Sequence, residues 1–306
     1  MRALQGFEKL NSLIKAYQLP VEGIILLDED NVIGEYHYAD DKPRNIYSHT
    51  KSYLSLAIGI ARDFGLISLD DRLVDSFSTS GTVYDSKIDD IRLADLLKMA
   101  SGFGKPYLMS ANRRSGTQSV DYVSYMLEKD IIDTPGTRFV YSSADSILAM
   151  KMLEKAVNEP VGVFIYKHIF SKLSQGWPIW EHDMYGTPVG CGGMQMTLRD
   201  MSKLGQVYLK RGKYHDTVIV SEDWIKLSSS KQIETKDKED VWHCGYGYQF
   251  WMCPYENAFR ADGKYGQLTV VFPDSGFVFG IQCPENGNFA VVKKFLHEEF
   301  FTQIKK

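Results

Sequence analysis

The 306-residue chain is short of several things, and each shortage removes a class of function. It sets 35 Lys and Arg against 39 Asp and Glu, a formal net charge of −4. Without an excess of positive charge it has nothing to neutralise a phosphate backbone, which argues against a nucleic-acid partner. No run of eighteen apolar residues occurs, so no helical membrane span is expected. The opening MRALQGFEKLNSLIKAYQLP lacks the continuous apolar stretch of a secretory leader. Instead Leu4, Phe7, Leu10, Leu13, Ile14 and Tyr17 recur at helical spacing and predict a surface helix. The four cysteines, Cys191, Cys244, Cys253 and Cys283, contain no Cys-x-x-Cys pair, which argues against a zinc ribbon or a redox motif. With no leader, the expectation is reduced, mostly buried thiols in a cytoplasmic protein, or an extracytoplasmic one if a leader has been trimmed. None of the seven histidines forms His-Glu-x-x-His or pairs with another at ligand spacing. The Gly-x-Ser-x-Gly elbow of α/β-hydrolases is missing. Gly245-Tyr-Gly247 lacks the third glycine and following helix of a dinucleotide loop. No metal and no cofactor are therefore expected.

What is present is the composition of an ordinary globular protein: 44% hydrophobic, 24% charged and 13% aromatic residues. The length fits two structural units or one large one, either able to bury a sizeable core. Glu22–Glu29 and Val32–Tyr38 read as strands joined by a turn at Asp30–Asn31. Lys51 to Gly65 reads as a helix whose stretch Ser52–Ala61 is uncharged and apolar on almost every face, so it must be buried on all sides. Residues 66–230 are mainly helical, with segments at Ile91–Met99, Tyr122–Glu128, Asp145–Val157, Val161–Leu173, Thr197–Leu209 and Ser221–Leu227. After a charged loop at Glu234–Asp240 come strands at Gly247–Met252, Ala258–Asp262, Gln267–Phe272 and Phe277–Cys283, then an amphipathic helix from Phe289 to Ile304. The expected architecture is an α/β (α+β) fold. Residues 1–65 and 231–306 build an antiparallel sheet flanked by helices, and residues 66–230 form an inserted all-helical domain.

Three Ser-x-x-Lys spacings occur, about what chance predicts for this composition: Ser12–Lys15, Ser48–Lys51 and Ser228–Lys231. On a helix this spacing puts both side chains on one face, where a neutral lysine can take the serine proton. An exposed lysine has a pKa of about 10.4, so a useful base needs a downward shift of roughly 2–3 units, which burial supplies. Ser12–Lys15 lies on the N-terminal helix and Ser228–Lys231 in a polar Ser-Ser-Ser-Lys stretch, neither of which desolvates a lysine. Ser48–Lys51 opens the one helix that must be buried on all sides. There the helix N-terminus favours an oxyanion, although Ser48 as a plain N-cap explains the local pattern as well.

Around that pair the sequence resembles the serine β-lactamase and penicillin-binding-protein superfamily, in the branch of class C-related esterases and nylon-oligomer hydrolases. The resemblance rests on ordered segments. Tyr47-Ser-His-Thr-Lys-Ser-Tyr-Leu-Ser-Leu-Ala-Ile-Gly59 is similar to the nucleophile helix, and Gly65-Leu-Ile-Ser-Leu-Asp-Asp71 to the turn after it. Ile91-Arg-Leu-Ala-Asp-Leu-Leu97 with Ala100-Ser-Gly102, Pro135 to Ser143, and Gly190-Cys-Gly-Gly-Met194 with Asp200 resemble further family segments. It implies a β-lactamase/transpeptidase-like fold, with Ser48 as acyl-accepting nucleophile, Lys51 as its proton acceptor and Tyr141 as second acid/base. A tyrosine beside a lysine ammonium is expected to have a lowered pKa.

Two motifs depart from the family. The second reads Tyr141-Ser142-Ser143 where Tyr-x-Asn is usual, and Ser143 can still hydrogen-bond with shorter reach. Ser142 with Asp145 also fits a capping box. The third, Lys-Thr-Gly in β-lactamases, is matched by Ala261-Asp262-Gly263. Ala261 cannot hold a substrate carboxylate and Asp262 would repel one; Lys264 or Arg260 could compensate. Gly263 is expected to let substrate approach the strand, and the Lys264 N–H to join that of Ser48 as oxyanion donor. His49 adjoins the nucleophile and could line the pocket, or pack or face solvent. The implied activity is cleavage of a small-molecule ester or amide. A β-lactamase or DD-peptidase acting on β-lactam-like compounds is the near alternative, and a non-catalytic binding protein on the same scaffold the distant one. The oligomeric state is not legible.

Overall fold

A computed structural model describes residues 2–77, 84–113, 120–235 and 242–302. Helix α1 (Arg2–Ala16) is apolar on one face only, and that face buries Phe7, Leu10 and Ile14. β1 (Gly23–Leu27) is buried along its whole length and turns at Asp28, whose carboxylate accepts from the N–H groups of Asp30 and Asn31, into the more exposed β2 (Val32–His37). After β3 (Arg44–Asn45) a 3-10 turn at Tyr47–His49 runs into α2 (Thr50–Asp63), in which Thr50 to Ala61 are all buried. The middle of the chain supplies α3 (Leu93–Leu97), α4 (Ser110–Asn112), α5 (Tyr122–Leu127), α6 (Ser143–Val157) and α7 (Val161–Ile165), which continues as a π-helical turn at Tyr166–Phe170. Next come β4 (Gln195–Met196), paired with β3, then α8 (Leu198–Leu209) and the hairpin β5 (Lys213–Tyr214) and β6 (Thr217–Val218). α9 (Glu222–Ser228), β7 (Trp251–Met252), β8 (Phe259–Gly263), β9 (Gln267–Phe272), β10 (Phe277–Gln282) and α10 (Phe289–Phe295) complete the chain.

Six strands form one antiparallel sheet in the order β2-β1-β10-β9-β8-β7, so N- and C-terminal segments meet at β1 and β10, with Gly23 opposite Gln282. Alternate residues face opposite cores. Ile25, Leu27, Val271 and Val278 join the large cluster that includes α2, α6 and α8, while Ile24, Leu26, Val270, Phe279 and Ile281 meet α1 and Phe300–Phe301. Both faces being covered is why these strands are apolar throughout.

Several segments differ from the sequence reading, and residues 66–230 are not all helical, since they also hold β4, β5 and β6. α8 falls within 66–230 yet packs on β1, β9 and β10, because Gly205 brings its backbone close to Val278 and Thr269. The expected strand Gly247–Met252 is extended only at Trp251–Met252. Gln249 takes a φ of 68° and turns inward, donating from Nε2 to the Leu97 carbonyl at 2.8 Å and accepting the Ser146 hydroxyl at 2.7 Å. Part of the charged loop, residues 236–240, and the last residue of the expected terminal helix, Ile304, lie outside the described residues.

Candidate active site

Lys51 is 1% exposed, an unusual place for a lysine. Because α2 begins at Thr50 and the preceding turn carries Ser48, the two side chains stack. Lys51 Nζ donates to Ser48 Oγ at 3.2 Å and to the Cys191 carbonyl at 2.9 Å. Burial lowers its pKa to about 8, with the Arg113 guanidinium pushing the same way and the Cys191 side chain and Asp145 opposing. The rival spacings lack this environment. Ser12 and Lys15 are exposed, and Lys231 is half-exposed and paired with Glu234 at 2.5 Å.

Tyr141, just ahead of α6, brings its hydroxyl within hydrogen-bond reach of Ser48, and its ring centroid lies 5.1 Å from Lys51 Nζ. Its pKa is raised, not lowered as the sequence suggested: desolvation dominates, against the opposing hydrogen bond to Ser48, and the Asp262 carboxylate adds to the rise. Of these two, Lys51 is the one that titrates toward neutrality, and Tyr141 keeps its phenolic proton. The capping box at the start of α6 does not form either. Ser142 caps by accepting from the Ala144 N–H, but Asp145 turns away and accepts from the Ser101 hydroxyl at 2.9 Å.

These groups open on a cavity of about 280 Å³ lined by, among others, Ser48, Tyr141, Ser143, Asp262 and Lys264. Ser143 is 4% exposed, and its hydroxyl points to the Met109 sulfur at 3.4 Å. Asp262 is held by Arg260, whose Nε donates to Oδ2 at 2.8 Å, and Arg260 is itself buried between Trp242 and Trp251. Lys264 stands exposed at the rim with Nζ 4.6 Å from the Tyr265 ring centroid. Ala261 is 2% exposed and sits in the apolar core, outside the lining. Gly263 is outside it too: a Cβ there would lie 2.1 Å from the Ile46 carbonyl oxygen, so the close approach it allows is by the backbone preceding Ser48. His49 packs inward, its Nε2 2.8 Å from the Thr269 hydroxyl.

Sequence reading noted the Gly190–Met194 segment without a role at the site, and it missed Arg113, Glu181 and Trp251 as wall residues. The Gly190–Met194 segment squeezes between α2 and α6, since a Cβ on Gly190 would meet Leu54, Ser146 and Met150, and this delivers the Cys191 carbonyl to Lys51. Its clustered glycines were the available signal. Arg113, 4% exposed at its side chain, makes a two-point ion pair with Glu181 at 3.0 and 3.1 Å, and no local pattern connects residues 68 apart. His243 and Trp251, stacked at 4.7 Å, complete that side.

Among the described residues no cluster of three His, Cys, Asp or Glu is placed to hold a metal ion, and no helix is long and apolar enough to cross a membrane. All four cysteines are unbridged, with Cys244 the least buried. Among solved structures, a family VIII carboxylesterase superposes with TM-score 0.73 at 16% identity, covering 99% of this chain and 97% of that one. A penicillin-binding protein from Bacillus halodurans gives TM-score 0.71 at 15% identity, covering 94% and 98%. An octameric penicillin-binding protein homologue from Pyrococcus abyssi gives 0.72 at 18%, covering 96% and 79%. No curated protein matches in sequence. The family model Beta-lactamase matches residues 25–293, and with the sheet and helices just described it establishes that the chain belongs to the Beta-lactamase family.

Proposed function

We propose that the protein is a serine hydrolase that cleaves an ester or amide bond of a small molecule through an acyl-enzyme on Ser48. The observation that carries this reading is the buried Lys51, with a pKa near 8, donating to Ser48 Oγ. A lysine so poised holds an appreciable free-base fraction at neutral pH. In the reaction Ser48 Oγ bonds to the substrate carbonyl carbon as its proton moves to Lys51. The backbone N–H groups of Ser48 and Lys264 meet the developing oxyanion. The tetrahedral species collapses by breaking the bond to the alcohol or amine, which leaves with the proton returned through Tyr141. Water then attacks the acyl-enzyme by the same route in reverse, freeing the acid and Ser48.

Asp262 supports a substrate without a carboxylate at that wall, since it stands where the family resemblance implies a carboxylate-binding lysine and threonine. Esters and simple amides fit this better than β-lactams or D-Ala-D-Ala peptides. The second reading, β-lactamase or DD-peptidase activity, is favoured by Lys264, a cation on the same lining. Mass spectrometry after treatment with a fluorophosphonate or penicillin probe is expected to find one adduct, on the Ser48 peptide, absent in Ser48→Ala. No adduct with either probe would favour a non-catalytic binding protein. Kinetics on p-nitrophenyl esters and nitrocefin separate the two hydrolase readings, and efficient nitrocefin turnover with negligible ester cleavage overturns the ester preference.

A further inference from the structure

Asp145 is a buried acid that the mechanism above does not use. It lies on the first turn of α6, is 0% exposed, and among the described residues accepts only from Ser101, from its hydroxyl at 2.9 Å and its N–H at 3.4 Å. Among the described residues no lysine, arginine or histidine reaches it at ion-pair distance. Lys51 is its counterpart: a buried ammonium whose described acceptors are the uncharged oxygens of Ser48 and Cys191, with no carboxylate at ion-pair distance among the described residues. The next residue on each helix shows how the two elements are clamped. Ser52 donates to the Gln249 backbone carbonyl at 2.8 Å and Ser146 to its side-chain Oε1 at 2.7 Å, so one buried residue ties α2 to α6 beside Lys51 and Asp145.

A lone buried cation and a lone buried acid on clamped, adjacent helices interact through protein, where screening by salt and water is weak. The ammonium favours ionised Asp145, and ionised Asp145 favours the ammonium. The other groups facing them are few. Asp95 on α3 opposes ionisation of Asp145 and the Ser101 hydrogen bonds favour it. The Cys191 side chain favours the ammonium while Arg113 disfavours it, and the Tyr141 ring beside Lys51 and the buried Tyr246 hydroxyl near Asp145 complete the surroundings. Desolvation pushes the acid up to about 7 while the lysine comes down to about 8, so both change charge in the same pH range and each acts on the other there.

We propose that Asp145 is a positioning residue that acts through Lys51: its buried charge, gated by Ser101, sets how much of the lysine is free base to accept the Ser48 proton. This rests on the acyl-enzyme reading. The sign follows directly, because an anion at Asp145 holds the proton on Lys51 and its removal releases it at lower pH. Asp145→Asn should move the midpoint of the rising limb of the kcat/KM profile on a p-nitrophenyl ester down by about half to one pH unit, and steepen it to a single-proton curve. The rate of fluorophosphonate labelling of Ser48 should follow the same curve. Ser101→Ala keeps the carboxyl but removes the hydroxyl that favours its anion, so its limb should move the same way by less. This second variant also decides the matter if Asp145→Asn does not fold. A lowered plateau with an unmoved midpoint in both variants, or a midpoint that moves up, overturns the proposal and leaves Asp145 a purely structural acid. Wild-type protein that is not labelled at any pH overturns the acyl-enzyme reading itself, a separate result.

Discussion

At Lys51 the needs of catalysis and stability oppose each other. Its depressed pKa means that, between pH 8 and 10.5, the unfolded chain binds a proton the folded protein does not. Stability therefore rises with pH across that window, and below pH 8 the protein carries the full cost of a buried ammonium. Lys51→Met keeps the volume and removes the charge. It is expected to stabilise the protein at pH 7 by about 1–3 kcal/mol, read from denaturant unfolding, while lowering kcat about 10²–10⁴-fold. The stability gain should shrink above pH 8, and a uniform loss of stability at every pH would contradict this account. Tyr141→Phe removes only the hydroxyl facing Ser48. It should lower kcat by about 10²-fold or more with little change in thermal midpoint. At this scale the contact between Lys51 and Ser48 was legible because motif spacing and the apolar helix behind them are local properties. The raised pKa of Tyr141 was not, since desolvation depends on Tyr246 and Trp251 packing against it.

The strand β8 shows what an element contributes beyond its side chains. Pairing with β9 in the register Gly263 to Gln267 brings its end against Ile46, directly before the nucleophile turn. Gly263→Ala would place a methyl 2.1 Å from the Ile46 oxygen, so strand and turn must part. The expected result is a loss of about 1–3 kcal/mol and a fall in kcat larger than the change in KM, because the two backbone donors separate. Unchanged kcat in a folded variant would remove Lys264 from the oxyanion site. Helix and strand positions were largely legible here: GIILL, QLTVVF and FVFGIQ are short apolar β-branched or aromatic runs, and α8 has a polar and an apolar face. Gly247–Met252 was misjudged because its aromatic residues favour a strand, whereas a buried Gln249 bonded to Leu97 and Ser146 outweighs that preference.

Across the whole molecule, His49 ties the nucleophile turn to the sheet through Thr269, and its Nδ1 is buried without a hydrogen-bond partner among the described residues. Burial lowers its pKa to about 3, so between pH 6.5 and 3 the unfolded chain takes up a proton that the folded protein excludes. Stability falls as the pH drops through that window, by about 2 kcal/mol between pH 6.5 and 5, and a His49→Gln variant should lose most of this dependence. Denaturant midpoints at the two pH values check it. By itself the amino-acid sequence determined most of the longer helices and strands and the helix that must be buried, because hydrophobic period and residue preference act within a few positions of the chain. It also singled out Ser48 among three equally spaced serines. Only the tertiary structure decided that the Cys191 carbonyl meets Lys51, that Arg113 meets Glu181, that Asp262 leans on Arg260 and that Asp145 answers to Ser101 across 44 residues. Those pairings arise from how layers stack. Desolvation, which sets the proton affinities of the site, exists only once they have stacked.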